Sequence, residues 1–365
     1  LLKKEQGYAV NKTYSGSSKS GSEKVLFINA RVLLSTSIPV EGDEEIGVKG
    51  DTVVYVRVEL KKAGLITPPK ALDPELVNKL TAKGFKKVET SCELIAYPWD
   101  LVGRNAEQIK KDFKALYPQP MINGRVYEGA HLVEEQYIFI GQSSKVYPGA
   151  VLNAEKGPIY IGKNVKILSN ANIEGPVCIE DNTLIKMGAK IYGGTSIGQG
   201  CKIGGEIEES IVHAYTNKQH HGFVGHSYLG RWVNLGAGTT TSDLKNNYSS
   251  IKAYAEGKRI DTGQIFVGTI MADHAKAGIN SMFAAGTVVG VGANAFGGGF
   301  LPKFVPSFAW CEEMGIVAYQ LDKFIETALK AMARRKKRIS RIEKDLIKHV
   351  FELTQTERDA VEMAG

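Results

Sequence analysis

The sequence predicts a left-handed parallel β-helix over residues 131–298, preceded by an α/β region and followed by a linker and a C-terminal helix. Two observations carry this. Every sixth residue from Ile161 is isoleucine, through Ile167, Ile173, Ile179, Ile185, Ile191, Ile197 and Ile203, and the 40 glycines of the 365-residue chain come with only 12 prolines. A period of six is neither the 3.6 of a helix nor the 2 of a plain strand, which leaves a stacked-coil solenoid. Each hexad supplies a short strand and a turn, three hexads close a triangular coil, and stacking buries a column of isoleucines at roughly 1.5–3 kcal/mol per side chain.

Upstream, Ile140, Val146 and Leu152 keep the period before Ala154-Glu155-Lys156-Gly157-Pro158 displaces it as a corner loop. Downstream the register slips between Gly204 and Gly222, recovers at Leu229 and Leu235, and loops out from Lys245 to Thr262. The spacing then predicts inward positions at Val267, Asp273, Ile279, Ala285 and Val291. Small residues after the isoleucines, among them Val165, Ala171, Gly188, Ala189 and Cys201, are expected to let the backbone round the corners.

Residues 1–130 read as a separate α/β domain. Tyr14–Ser22 is a polar stretch, Val25–Ala30 and Thr52–Val58 read as strands, and helices are expected over Pro74–Lys83 and through Ala106–Phe113. No glycine-rich phosphate loop is found there. Past Val291, Gly297-Gly298-Gly299 predicts a linker, and one long amphipathic helix is expected from about Val317 to Leu353, within a segment 299–365 that caps the last coil.

Of the formal charge of +7, most comes from Arg334, Arg335, Lys336, Lys337, Arg338 and Arg341. Ile339, Ile342, Leu346 and Ile347 recur beside them at helical spacing, so the cluster reads as a solvated helix face and no nucleic-acid partner is expected. Cys92, Cys178, Cys201 and Cys311 form no C-x-x-C pair, which points to reduced cysteines rather than a disulfide framework or zinc site. No apolar stretch approaches the ~20 residues of a bilayer span, and Leu1-Leu2-Lys3-Lys4 lacks the apolar core of a signal peptide. A cytoplasmic protein with no membrane partner is the expectation.

Chemistry is expected where the register slips, because solenoid coils carry stability and their irregularities carry binding surfaces. His213, His220, His221 and His226 place four of the seven histidines within fourteen residues. An imidazole with a pKa near ~6.5 can take a proton from an amine or hydroxyl that attacks a thioester.

The run from His220 to Thr239 resembles, without a gap, the bifunctional N-acetylglucosamine-1-phosphate uridyltransferase/glucosamine-1-phosphate acetyltransferase family and its archaeal sugar-1-phosphate nucleotidyltransferase relatives. The shared elements are His220, an aromatic three residues on (Phe223), Gly225, Gly230 and Val233-Asn234-x-Gly236-Ala237-Gly238-Thr239. The resemblance implies His220 as catalytic base, Phe223 and Asn234 at the substrate, and Ala237 at the acyl-CoA. Looser matches imply Lys186, in Lys186-Met187-Gly188-Ala189, on the sugar phosphate, and Thr269 and Ala285 as further contacts to acetyl-CoA or another acyl-CoA. A lysine can hold a phosphate as a point charge.

Three departures bear on the acceptor. Phe223 replaces a tyrosine, Asp243 an asparagine, and Glu208 falls near the place of a phosphate-binding lysine, so the acceptor is read as a sugar phosphate or nucleotide sugar of open identity. The segment Tyr97-Pro98-Trp99-Asp100 and the helix after it resemble the later part of a nucleotidyltransferase domain, which implies a nucleoside triphosphate with Mg²⁺ over residues 1–130. The family resemblance also implies a homotrimer. Two other readings stay open. His221 and His226 suit a zinc lyase of the γ-carbonic anhydrase type, and Glu208 with Phe223 suits a catalytically degenerate sugar-nucleotide-binding protein.

Overall fold

The computed structural model of the chain describes residues 24–34, 38–65, 74–117, 121–297, 299–312 and 315–362. Tyr14–Ser22 and Gly298 lie outside them. Two compact units part between Tyr97 and Pro98.

In the first unit, β1 (Lys24–Ile28), β3 (Glu45–Lys49), β4 (Thr52–Glu59) and β5 (Lys86–Glu89) form one sheet in the order β1-β4-β3-β5, while β2 (Val32–Leu34) pairs with β6 (Cys92–Leu94). β4 is almost wholly apolar because both of its sides are covered. Val53, Val56 and Val58 pack with Leu76, Val77 and Leu80 of α1 (Pro74–Thr81), whereas Val54 and Tyr55 pack with Cys92. Arg57, buried in this unit, is paired with Glu45 at 2.8 Å.

The helix expected through Ala106–Phe113 spans Pro98–Leu116 (α2) and belongs to the second unit rather than to a domain ending at 130. Its Asn105 donates to the Gly194 carbonyl at 2.7 Å and accepts from Ser196 at 2.9 Å. Beyond its C-terminus Tyr117 stacks on Tyr160 at 5.1 Å. The register of the solenoid, not the change of composition, decides which unit holds this helix.

The solenoid is a left-handed parallel β-helix of three faces. The first is a ten-stranded sheet and the second an eleven-stranded one; the third has six strands and a two-stranded continuation. The inward column of the first face runs Ile140, Ile161, Ile179, Ile197, Val212, Leu229, Met271, Val289, Val305. That of the second runs Val146, Ile167, Ile185, Ile203, Lys218, Leu235, Ala277, Ala295, Cys311. Past the insertion the expected register is displaced: Met271, Ala277, Phe283, Val289 and Ala295 point inward, while Ile279 is 71 % exposed. The period of six is kept but its phase is set by the loop, whose length no period encodes.

The corners obey a rule of their own. Three residues after each inward residue of the first face the backbone is left-handed, at Ser143, Asn164, Asn182, Gly200, Tyr215, Trp232, His274, Gly292 and Phe308. The next residue, as at Val165, Thr183, Cys201 and Ala275, is buried beneath the turn. A non-glycine left-handed residue costs on the order of 1–3 kcal/mol, least for Asn, which explains the early asparagines. At Tyr215, Trp232 and His274 aromatic rings take this place and stack along the edge: Tyr215 on Trp232 at 4.3 Å and Trp232 on His274 at 6.1 Å. Stacking and burial offset their backbone strain.

The coils continue past Gly297 through Phe304–Val305 and Ala309–Glu312, and Gly315–Ala318 folds back antiparallel on the last strand. The single helix expected over Val317–Leu353 is instead two, α3 (Leu321–Ala333) and α4 (Arg341–Leu353), with α5 (Gln355–Glu362) beyond them. The basic run interrupts it, and Ser340 with Glu343 forms a capping box that starts α4 afresh. Phe324 of α3 seats against His274 and Phe308, so the helices close on the aromatic edge.

Two outcomes test this arrangement. Ile185→Ala, which empties an inward site, is expected to cost ~2–5 kcal/mol in urea unfolding. Burial pushes the His274 imidazole down to about 4 from 6.5. The folded chain therefore resists a proton that the unfolded chain accepts, and this contribution to stability is present above pH 6.5 and lost as pH falls toward 4. His274→Phe, read by urea midpoint, should gain on the parent chain as pH is lowered from about 7 to about 5.

Candidate active site

Between the second and third faces the chain turns through Gln219–Gly222, and this corner holds His220. It is exposed, and its imidazole makes no hydrogen bond with the described residues. What orders the corner is Lys218. It occupies an inward position in line with Ile203 and Leu235, is fully buried, and its ammonium donates to the His220 carbonyl and, at 3.0 Å, to that of His221. Burial pushes it down to about 8. A lysine inside a stack of aliphatic side chains costs desolvation that a methionine would not, and its return is a corner tied to the core by its carbonyls.

The sequence-predicted residues fall into two groups. Lys186 follows Ile185 at this same second-to-third edge, two rungs before Lys218. Phe223 begins the third-face strand just after His220, Asn234 lies beside Asn217 on the second face with their amides 3.4 Å apart, and Ala237 is at the next turn of the edge. Thr269 and Ala285 sit instead at the edge between the third and first faces. Both are buried: the Thr269 hydroxyl has no hydrogen-bond partner, and the Ala285 carbonyl accepts from Lys303. One protomer does not bring the two groups together.

The same far edge gathers His226, Glu209, Asp243 and Glu208. Nδ1 of His226 lies 2.8 Å from Asp243 and Nε2 3.2 Å from Glu209. Burial opposes its charge, but the two carboxylates prevail and raise it to about 9, so the ring is an imidazolium at neutral pH rather than a base. A Cβ at position 225 would lie 2.2 Å from the Asp243 carboxylate, so Gly225 leaves room for this tie. Phe266 stacks on the imidazole at 5.0 Å. The cluster pins both ends of the 242–266 insertion. Glu208 thus ends the third-face strand away from His220, and within a protomer it does not oppose a phosphate there. His221 and His226 likewise stand on different edges, and among the described residues no three His, Cys, Asp or Glu converge on a metal position.

Lys218 escaped the sequence reading because the coil before it is shortened, which moves it into register with the isoleucines only once Ile203↔Lys218 is seen to pair. Counting back from Leu235 would have exposed a cation in an aliphatic column.

Residues 7–119 match the sugar nucleotidyl transferase family. Over 156 residues the chain is 30% identical to a bifunctional sugar-1-phosphate nucleotidylyltransferase/acetyltransferase of Sulfurisphaera tokodaii, covering 37% of this chain and 39% of the relative. Over that stretch the chain is similar to the bifunctional protein. It is also 30% identical over 186 residues to the bifunctional protein GlmU of Thermotoga maritima, covering 47% of this chain and 38% of that protein. The chain thus spans about two fifths of the length of these bifunctional relatives. A solved UDP-N-acetylglucosamine acyltransferase of Francisella novicida aligns with a TM-score of 0.32 at 15% identity, covering 66% of this chain and 87% of that one.

Lys218→Met should leave the urea midpoint unchanged or raise it, since a buried charge is replaced by an apolar chain of similar length. Amide exchange at Gln219–Gly222 should accelerate as the two carbonyls lose their tie. Unchanged protection of that turn would refute the role given to Lys218.

Proposed function

We propose that the chain is a sugar-nucleotide-pathway transferase: an acyl-CoA-dependent acyltransferase on a phosphorylated or nucleotide-linked sugar, joined to a sugar-1-phosphate nucleotidyltransferase-like domain. One observation supports it: in the gapless run from His220 to Thr239, His220, Phe223 and Ala237 lie along one edge, with Asn234 on the adjoining second face. A solvated imidazole there takes the proton from the acceptor amine or hydroxyl as it attacks the acyl carbon. The acyl-CoA supplies the activated thioester, whose C–S bond breaks so that the thiol leaves with the proton that the imidazole took up. Asn234 offers both a donor and an acceptor to sugar hydroxyls, and Lys186 a charge to a phosphate.

Thr269 and Ala285 join this site through a second copy, in a trimer whose protomers meet edge to edge. Supporting that reading, Met187, Ile279, Met282 and Phe300 lie along the His220 edge and the third face at 69%, 71%, 37% and 70% exposure, which is apolar surface suited to cover by a partner. In the first unit the relationship over residues 7–119 favours a nucleoside triphosphate with Mg²⁺. No step is assigned there, since its described residues show no glycine-rich phosphate loop. No described helix is long and apolar enough to cross a membrane.

With acetyl-CoA and a panel of sugar phosphates and nucleotide sugars, His220→Ala should lower acyl transfer by on the order of 10²–10⁴-fold. Equal turnover by the variant would refute the assignment, and a monomer in light scattering would refute the shared site.

A further inference from the structure

A cavity of about 410 Å³ lies between the second face and the last turns of α3, beside the edge that carries Gln219 and His220. Its floor is a row of outward residues, one per coil: Lys202, Asn217, Asn234 and Lys276, held in order by the parallel ladder. Its roof is the end of α3, with Arg334 and Arg335. None of the lining side chains is acidic.

The cations are not explained by the fold. Basic residues at a helix C-terminus ordinarily answer the helix dipole, but the Arg335 guanidinium reaches across to the Gly200 carbonyl at 3.0 Å and to Asn217 at 2.7 Å. Lys202 and Lys276 belong to the solenoid and face those last turns across the cavity. Lys276 uses one of its three donors, on the His274 carbonyl, and burial pushes it down to about 8. Lys202 is pushed down chiefly by the charge of Arg335, with burial and Arg334 adding to it. Among the described residues neither Lys202, Lys276, Arg334 nor Arg335 has a carboxylate partner. Five cations line one cavity, and of these only Lys330 has a carboxylate partner, Glu326, among the described residues.

We propose that this cavity binds a pyrophosphate-bearing small molecule, gripped from the solenoid by Lys202 and Lys276 and from α3 by Arg334 and Arg335. Its volume falls within the ~300–1,000 Å³ of small-molecule sites. Charges on two opposed walls suit two linked phosphates better than one, and the amides of Asn217, Gln219 and Asn234 are placed for hydroxyl groups of the remainder. The site stands on binding alone, whether or not His220 transfers an acyl group.

The test is calorimetric titration of the 365-residue chain with inorganic pyrophosphate, orthophosphate, UDP and coenzyme A. Pyrophosphate should bind once per chain and at least tenfold more tightly than orthophosphate. Lys202→Gln and Arg334→Gln should each weaken it at least tenfold, whereas Lys166→Gln, two rungs away on the same face, should not. Arg334 is exposed, so its substitution leaves folding intact. Competition by UDP identifies a nucleotide as the source of the pyrophosphate, and competition by coenzyme A identifies the acyl donor. Failure of pyrophosphate to bind, equal affinity for orthophosphate, or equal loss in Lys166→Gln would overturn the proposal. None of these outcomes bears on the His220→Ala comparison.

Discussion

The coil rests on two positions three residues apart. One side chain must fill the triangular interior, and the residue three places on must accept a left-handed backbone so that the chain turns into the next face. The first requirement is hydrophobic and is met by isoleucine wherever the coils are regular. The second is steric, and is met by serine, asparagine or glycine in the early coils and by Tyr215, Trp232, His274, Gly292 and Phe308 in the later ones. Those rings accept strain because they gain stacked area and a helix to cover them. The edge that turns the chain becomes the edge that receives α3.

The chemistry of the molecule is built from controlled violations of the same rule. Lys218 breaks the inward column, and the broken rung is the one that carries His220. The shortened coil before it and the insertion after Thr241 leave His226 between two carboxylates at the far edge. Two histidines six residues apart thereby acquire opposite characters: one exposed, its imidazole without a hydrogen bond among the described residues, the other held as a cation by its neighbours. Proximity along the chain therefore did not predict proximity in the fold, because a single turn of the solenoid separates residues onto different edges.

The C-terminal segment extends this logic. Its basic run stops one helix and precedes the next, with Arg335 turned down onto the second face. Read along the chain alone, that run is a solvated face, and much of it is. Only two of its members reach the row of Lys202 and Lys276, which are far from it in sequence.

The period of isoleucines by itself determined the fold class and the solenoid core from Ile140 to Ile203, and apolar runs marked β1, β4 and α1 of the first unit, because period six and alternating burial are local patterns. The motif from His220 to Thr239 was legible for the same reason. Tertiary structure decided the rest. The phase of the last coils depends on how the 242–266 insertion closes, α2 joins the solenoid through contacts about 90 residues away in sequence, and the site residues divide between two edges. These are matters of which rung lies over which, and that pairing energy is shared among strands that no short window of sequence contains.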